Sequence, residues 1–470
     1  MSRRLLASLC AAFAVVAATA ASASAAPFHI RFNHVFAQPP TTAQCEAAPP
    51  VGAGIACYGP TQYEQAYNMD PLYHAGLTGA GKTIVIVDSY GSPTILSDLQ
   101  TFDQGYGLPA PPSLKIITPD GPIPPFDPSM GSTQSSWAVE TSLDVEYSHA
   151  MAPGANILLV ETPVAETEGT VGFPQIVEAE NYVIDHHLGD VISQSFGATE
   201  ETFPSAGSIY ALRGAYFNAL AHRVTVLGAS GDAGPTDETA APDGVDFYPF
   251  RVDSWPSSDP LVTSVGGTHL QLDANGNRTA PDSAWNDGTE LFNLSPPGSQ
   301  ETPAAGGGGL SAVFSRPSYQ DDVASTARRH RASPDVSMSA AVDGGANVYW
   351  SFQGQGTPGW QVVGGTSEAT PLFAGVVAVA DQAAGHDLGL LNPTLYASGD
   401  GPGAGLVDVT HGNTTVTFQN LPTDPYPGTH TVPGYAAVGG YDLATGLGTA
   451  DGVRLVSELA NGRWLRFGRR

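Results

Sequence analysis

Ser367 stands in the run Gly364-Gly365-Thr366-Ser367-Glu368-Ala369-Thr370-Pro371, a glycine turn followed by a helical pattern that reaches about residue 382. A serine pushed out of such a turn lies at a helix N-terminus, where backbone N–H groups and the helix dipole favour developing negative charge. That placement suits a nucleophile attacking a carbonyl. Serine and threonine also cap helices in inert turns, so the reading depends on a base and an oxyanion donor elsewhere in the chain.

Glu140 and Asp144 are the candidate base. They are four residues apart in a helical pattern over 133–149, which puts them on one face. Ionised together they repel, so the pair favours sharing one proton. A solvated acidic helix face has the same spacing, but Trp137 and Leu143 place large apolar groups beside the pair and predict partial burial. Coupled carboxyls supply a base where histidine, with an ordinary pKa of about 6.5, is protonated. Asp232 follows a predicted strand in Ser230-Gly231-Asp232-Ala233-Gly234. An aspartate between glycines is commonly a turn former. Held protonated in a dry site, it donates to an oxyanion, a contribution of roughly 2.7–4 kcal/mol in the transition state.

The elements that must position these groups alternate in type. Short apolar strands are predicted at 83–88, 156–161, 191–195, 224–229 and 261–265, with helices at 61–67, 133–149, 173–187 and 208–222. This alternation predicts an α/β fold whose parallel sheet is covered on both faces, with ligands at the carboxyl ends of the strands. Segments 89–131, 232–260 and 270–310 read as long loops that build binding walls. Gly76-Leu77-Thr78-Gly79-Ala80-Gly81-Lys82-Thr83 matches a phosphate loop by letter. It leads into a strand instead of opening a helix, so it reads as a turn.

Composition narrows the setting. With 41% hydrophobic residues in a chain of 470, disorder is excluded and a large core is expected. The net charge of −27 repels nucleic acid and anionic membrane surfaces. Arg3 and Arg4, the apolar run to Ala18 and Ala23-Ser24-Ala25 form a secretion signal over 1–26. That run is too short to span a membrane, so export and release are predicted. Cys45 and Cys57 are then an even pair in an oxidising compartment, and a disulfide is expected.

The E-x-x-x-D helix, S-G-D and G-T-S-x-x-x-P occur in one order, with supporting blocks at 309–320 and 331–337. Together they resemble the sedolisins, the serine-carboxyl peptidases, over about residues 58–455. The resemblance implies a subtilisin-like three-layer fold with a central, mainly parallel sheet. It makes Ser367 the nucleophile, Glu140 the general base, Asp144 its proton-sharing partner and Asp232 the oxyanion donor. It further implies one structural calcium ion, held by Asp408, Asp442 and the carbonyls of Val409, Val438 and Gly440; oxygen-only ligands suit that cation. Two Asx turns are the plainer reading of those aspartates.

The expectation is therefore a secreted, monomeric, acid-active endopeptidase that hydrolyses unfolded polypeptides. Its divisions are a signal over 1–26, an arm over 27–57, a peptidase domain over 58–462 and a tail over 463–470. The resemblance also implies a long propeptide after the signal, where residues 27–57 stand instead. Two other readings remain open here. A subtilisin-type Ser-His-Asp peptidase would use Asp88, but no histidine lies in a motif like H-G-T. A secreted binding protein on the same fold would make no use of the four catalytic candidates.

Overall fold

The computed structural model describes residues 29–30, 35–48, 54–166, 171–240, 246–288, 302–397 and 405–460. The signal over 1–26 and the tail over 463–470 therefore lie outside the described residues. The central sheet contains β1 (Thr83–Ser89), β2 (Leu114–Ile117), β3 (Asn156–Thr162), β4 (Val191–Gln194), β5 (Thr225–Ala229), β6 (Thr263–His269) and β7 (Val336–Ser339). Across the sheet they run β7-β6-β5-β4-β1-β3-β2, and each neighbouring pair is parallel.

The inner strands are buried on both faces because both faces are covered, whereas the edge strand β2 keeps Lys115 and Ile116 exposed. In β1, Ile84 and Ile86 enter one core while Val85 and Val87 enter the other, the period-2 alternation of a pleated strand. The helices that cover the sheet include α1 (Pro60–Ala66), α2 (Thr133–Met151), α3 (Phe173–Asp185), α4 (Gly214–His222) and α5 (Thr366–Ala384). Residues of α1, α2 and α5 pack into the first core, and those of α3 and α4 into the second. Helix, sheet and helix make the three layers expected from the sequence.

A smaller sheet covers α2 and leads into the serine turn. β8 (Gly345–Trp350) and β9 (Gly359–Gly364) are antiparallel. Cys57–Tyr58 pairs with β8, and His29–Ile30 with β9. The Cys45–Cys57 disulfide is present and fixes the arm to this edge. The sequence pattern did not announce the hairpin, because its strands mix glycine, polar and aromatic residues.

Other boundaries differ for local reasons. The predicted helix over 208–222 is two helices, Ala206–Leu212 and α4, divided at Arg213. The predicted loop over 89–131 contains helix Ile95–Tyr106 and β2. Its Ile95, Leu99 and Phe102 recur at helical spacing and are buried. The strand predicted at 261–265 starts and ends later, as β6, because Gly266 and Gly267 continue it.

Helices α2 and α5 approach closely through Gly375. A Cβ there would lie 2.4 Å from Met151 Cβ and 3.0 Å from the Met151 carbonyl carbon. Alanine would gain about 1 kcal/mol of helix propensity, but overpacking a core costs about 1–3 kcal/mol. Contact with the partner's backbone favours the upper end of that cost. Gly375→Ala should therefore lower unfolding free energy in urea; unchanged stability would mean the helices separate without strain.

Candidate active site

The serine turn depends on Gly365. Its φ of 126° lies in the region that favours glycine. A Cβ at Gly365 would also come within 2.5 Å of Asp232 Oδ2, so the position admits the aspartate only when it lacks a side chain. Asp232 Oδ1 accepts hydrogen bonds from Thr366 N and Thr366 Oγ1, each at 2.7 Å. Gly231 N donates to Thr366 Oγ1 at 3.2 Å. The S-G-D and G-T-S turns, far apart in sequence, are thus joined residue to residue. Ser367 follows in the first turn of α5 and is buried.

Glu140 and Asp144 project from the middle of α2 and are fully buried. Partial burial was expected; the observed burial is complete, because α5, the sheet and the β8–β9 hairpin enclose α2. Ser367 faces Glu140 and lowers its pKa as a hydrogen-bonding partner. The ground-state geometry is loose, for neither Glu140 oxygen makes a full hydrogen bond. Catalytic hydrogen bonds commonly tighten only when substrate binds. Burial is the largest influence on Glu140 and holds its carboxyl well above the ordinary range, with further upward pushes from Asp144 and Asp88.

Asp144 is raised by burial and by Asp88, and lowered by Ser195, whose Oγ donates to Asp144 Oδ1 at 3.0 Å. Asp88, near the end of β1, is a third member of the cluster. Burial pushes its carboxyl up to about 7, while Thr141 pulls in the opposite direction. Asp88 entered the sequence argument only as the acid of a rival triad, and its signal was the Val-Asp-Ser strand end. The structure brings it to the carboxyl pair. Ser195, just past β4, had no sequence signal at all.

Asp232 is raised to about 7 by burial, against the lowering effect of the two Thr366 hydrogen bonds. The residue keeps some exposure, yet its Oδ2 is sealed from solvent. The carboxyl is therefore neutral in acid, when it has a proton to donate. The histidines go elsewhere: His149 contacts Asp103 and the Pro109 carbonyl, His222 the Asn218 carbonyl, and His269 Asp343. No helix among the described residues is long and apolar enough to cross a membrane.

The subtilase family model matches residues 131–395, which include all four catalytic candidates. The chain belongs to the subtilase family. Kumamolisin of Bacillus sp. (strain MN-32) is 32% identical over 87% of this chain and 64% of its own length. Sedolisin of Pseudomonas sp. (strain 101) is 30% identical over 87% of this chain and 62% of its own length. The chain thus spans less than two-thirds of these relatives. A solved structure of Pseudomonas sedolisin, a serine-carboxyl proteinase complexed with two molecules of pseudo-iodotyrostatin, has a TM-score of 0.67 at 27% identity. It matches 87% of this chain and 99% of that one. Within this subtilase fold the carboxyl cluster occupies the carboxyl ends of the parallel strands, as expected for α/β sheets.

The aspartates expected to hold calcium both bind backbone N–H groups of the segment 438–442. Asp408 Oδ2 accepts from Gly440 N at 3.0 Å, and Asp442 Oδ2 accepts from Val438 N at 2.7 Å. Asp442 Oδ1 takes the N–H groups of Ala444 and Thr445. No group of three or more His, Cys, Asp or Glu side chains gathers as a metal site among the described residues. A site made of two carboxylates and peptide carbonyls would not form such a group. Burial raises the Asp442 pKa, and a cation would relieve that cost. The residues therefore fit a hard cation in ligand type.

Removing the Ser195 hydroxyl tests the electrostatics of the cluster. It stabilises ionised Asp144, so Ser195→Ala should raise the pKa of the Glu140–Asp144 pair. A hydrogen bond to a charged group contributes about 1.5–3 kcal/mol, and one pKa unit is about 1.4 kcal/mol. The acid limb of any carboxylate-dependent activity should therefore move up by about one to two pH units. A limb that stays in place would separate Ser195 from the base.

Proposed function

We propose that this chain is a secreted, acid-active serine-carboxyl endopeptidase that hydrolyses peptide bonds of unfolded polypeptides. The observation that carries the reading is the buried Glu140–Asp144 pair facing Ser367, with Asp232 bound to the adjoining Thr366 turn. Identity to serine-carboxyl proteinases supports it. The signal-like segment over 1–26 supports export.

Ser367 Oγ attacks the scissile carbonyl carbon as its proton passes to Glu140, which is the ionised member of a pair carrying one negative charge. Asp144 shares the remaining proton, and the N–H and O–H groups around the site spread the charge. The carbonyl oxygen becomes an oxyanion, and protonated Asp232 donates to it. Collapse breaks the C–N bond, and the proton on Glu140 goes to the leaving amine. Water then gives a proton to Glu140 and hydroxide to the acyl carbon; the Ser367 ester breaks, and the proton returns to Ser367.

Two ionisations bound this cycle. Below the first ionisation of the pair there is no base. Repulsion delays the second ionisation, so the monoanionic pair persists over a wide range. Above about 7, Asp232 loses the proton it must donate. Cleavage of an unfolded protein, followed across pH with product termini read by mass spectrometry, should give a bell with its maximum on the acid side. Ser367→Ala should remove activity at every pH. Asp232→Asn keeps a donor that does not ionise, so reduced activity should survive with a flattened alkaline limb. Unchanged activity and limbs in Asp232→Asn would assign the oxyanion elsewhere.

We also propose that Asp408, Asp442 and the carbonyls of Val409, Val438 and Gly440 hold one calcium ion. The ion would supply charge compensation for the buried Asp442 carboxylate and tie the 408 and 438–442 segments together. Binding to the folded state alone adds about 2.7 kcal/mol at a hundredfold excess over Kd. Near pH 7, chelator should lower the melting temperature by several degrees, and Asp442→Ala should abolish that response. Identical melting with and without chelator would remove the ion from this description.

A further inference from the structure

Glu368, immediately after the candidate nucleophile, is a buried acid that the proposed cycle does not use. It is fully buried in the first turn of α5, and its N–H donates to the Gly365 carbonyl at 2.9 Å. Its Oε1 lies 2.7 Å from the Tyr63 hydroxyl, and that hydroxyl lies 3.1 Å from the Gly344 carbonyl. Its Oε2 has no full hydrogen bond.

One tyrosine hydroxyl has one proton and cannot donate to both oxygens. If Glu368 is ionised, Tyr63 donates to it and turns a lone pair towards Gly344. If Glu368 carries a proton, the conflict disappears: Glu368 donates to Tyr63, and Tyr63 donates to the Gly344 carbonyl. The surroundings favour the neutral form. The titratable groups facing it are Tyr58 and Tyr63 beside and on α1, Tyr67 just past α1, Tyr147 of α2, and Asp287. Ser339 of β7 and Ala346 N of β8 supply only neutral donors. The nearby cation, Arg278, lies over the Tyr67 ring at 5.7 Å and pairs with Asp282.

Resting on the serine-peptidase reading above, we infer that Glu368 is a positioning residue that, as a neutral acid, donates through Tyr63 to Gly344 and so fixes the turn carrying Ser367. The path is short. Gly344 precedes β8, β8 pairs with β9 through Ala346 and Val363, and β9 ends at Gly364 in the turn itself. Burial pushes the Glu368 carboxyl up to about 8, against the lowering effects of Tyr63, Ser339 and Ala346. The neutral form therefore prevails throughout the acid range. As pH rises towards 8, ionisation breaks the relay and puts a negative charge one residue from the nucleophile, opposing the oxyanion.

Linkage has the same sign. The folded-state pKa is raised, so the folded protein holds a proton that the unfolded chain releases above about 4.3. The contribution of Glu368 to stability is fully present below that value and falls until pH passes about 8.

The test uses purified mature protein and an unfolded polypeptide substrate at pH 3–9, with kcat and KM measured for wild type, Glu368→Gln, Glu368→Ala and Tyr63→Phe. Glutamine keeps a donor for Tyr63 and does not ionise, so at pH 4 it should retain at least about a third of wild-type kcat. Alanine should lose at least about tenfold in kcat with KM unchanged. In an Asp232→Asn background, the residual alkaline limb should flatten when Glu368→Gln is added. Thermal unfolding of Glu368→Gln should gain on wild type as pH rises from 5 to 8. Equal kcat for Gln and Ala, or an alkaline limb that Glu368→Gln leaves in place in the Asp232→Asn background, would overturn the inference. If Glu368→Gln does not fold, Tyr63→Phe decides: a cut relay should lower kcat at least about fivefold with KM unchanged, and unchanged kcat would overturn it. A wild-type protein without Ser367-dependent cleavage would instead remove the peptidase reading, while the unfolding series still tests the Glu368 proton independently of it.

Discussion

The rest of the structure depends on keeping several carboxyl groups away from water. Glu140, Asp144 and Asp88 share one enclosure, and burial is the first cause of the raised pKa of each. Three charges cannot occupy such a site together. The cluster therefore retains protons where surface carboxyls have lost theirs, and the charge it does carry is available to a neighbouring hydroxyl. A solvated helix bearing the same residues would have ordinary acids and no such property. The enclosure itself comes from α2 and α5 packing at a distance that Gly375 permits.

The fold holds the enclosure from three sides. The central sheet provides a floor and presents Asp88 and, just beyond a strand end, Ser195. The β8–β9 hairpin covers α2, where Glu146 Oε2 accepts from Tyr349 N at 3.1 Å. The serine turn closes the site by engaging Asp232 through Thr366. Close packing explains why small residues recur at these joints: a Cβ at Gly365 would lie 2.5 Å from Asp232 Oδ2, and one at Gly375 2.4 Å from Met151 Cβ.

Burial of acids extends beyond the site. Glu180 is raised to about 8 and Glu166 lies well above the ordinary range, each by desolvation first. Raised acids stabilise the folded state at low pH relative to high pH, because the folded protein keeps protons that the unfolded chain gives up. The net charge of −27 acts in the same direction, since surface repulsion falls as carboxyls protonate. Core and surface therefore both favour an acidic medium, for different physical reasons.

The amino-acid sequence by itself determined the layer architecture and the cysteine pair, and it singled out Ser367, Glu140, Asp144 and Asp232 as the candidate groups. These were legible because they rest on local rules: alternating apolar strands and helices, a glycine turn before a helix, and four-residue spacing on a helix face. The β8–β9 hairpin was not legible, since its strands are defined by each other and not by a pattern of their own. Only partial burial of α2 was legible, from Trp137 and Leu143; that its polar residues are buried as well depends on the elements packed around it. Ser195, the place of Asp88 beside the carboxyl pair and the Glu368–Tyr63 contact join residues distant in the chain. Only tertiary packing decides such contacts, and with them the desolvation that turns ordinary carboxyls into groups that hold protons.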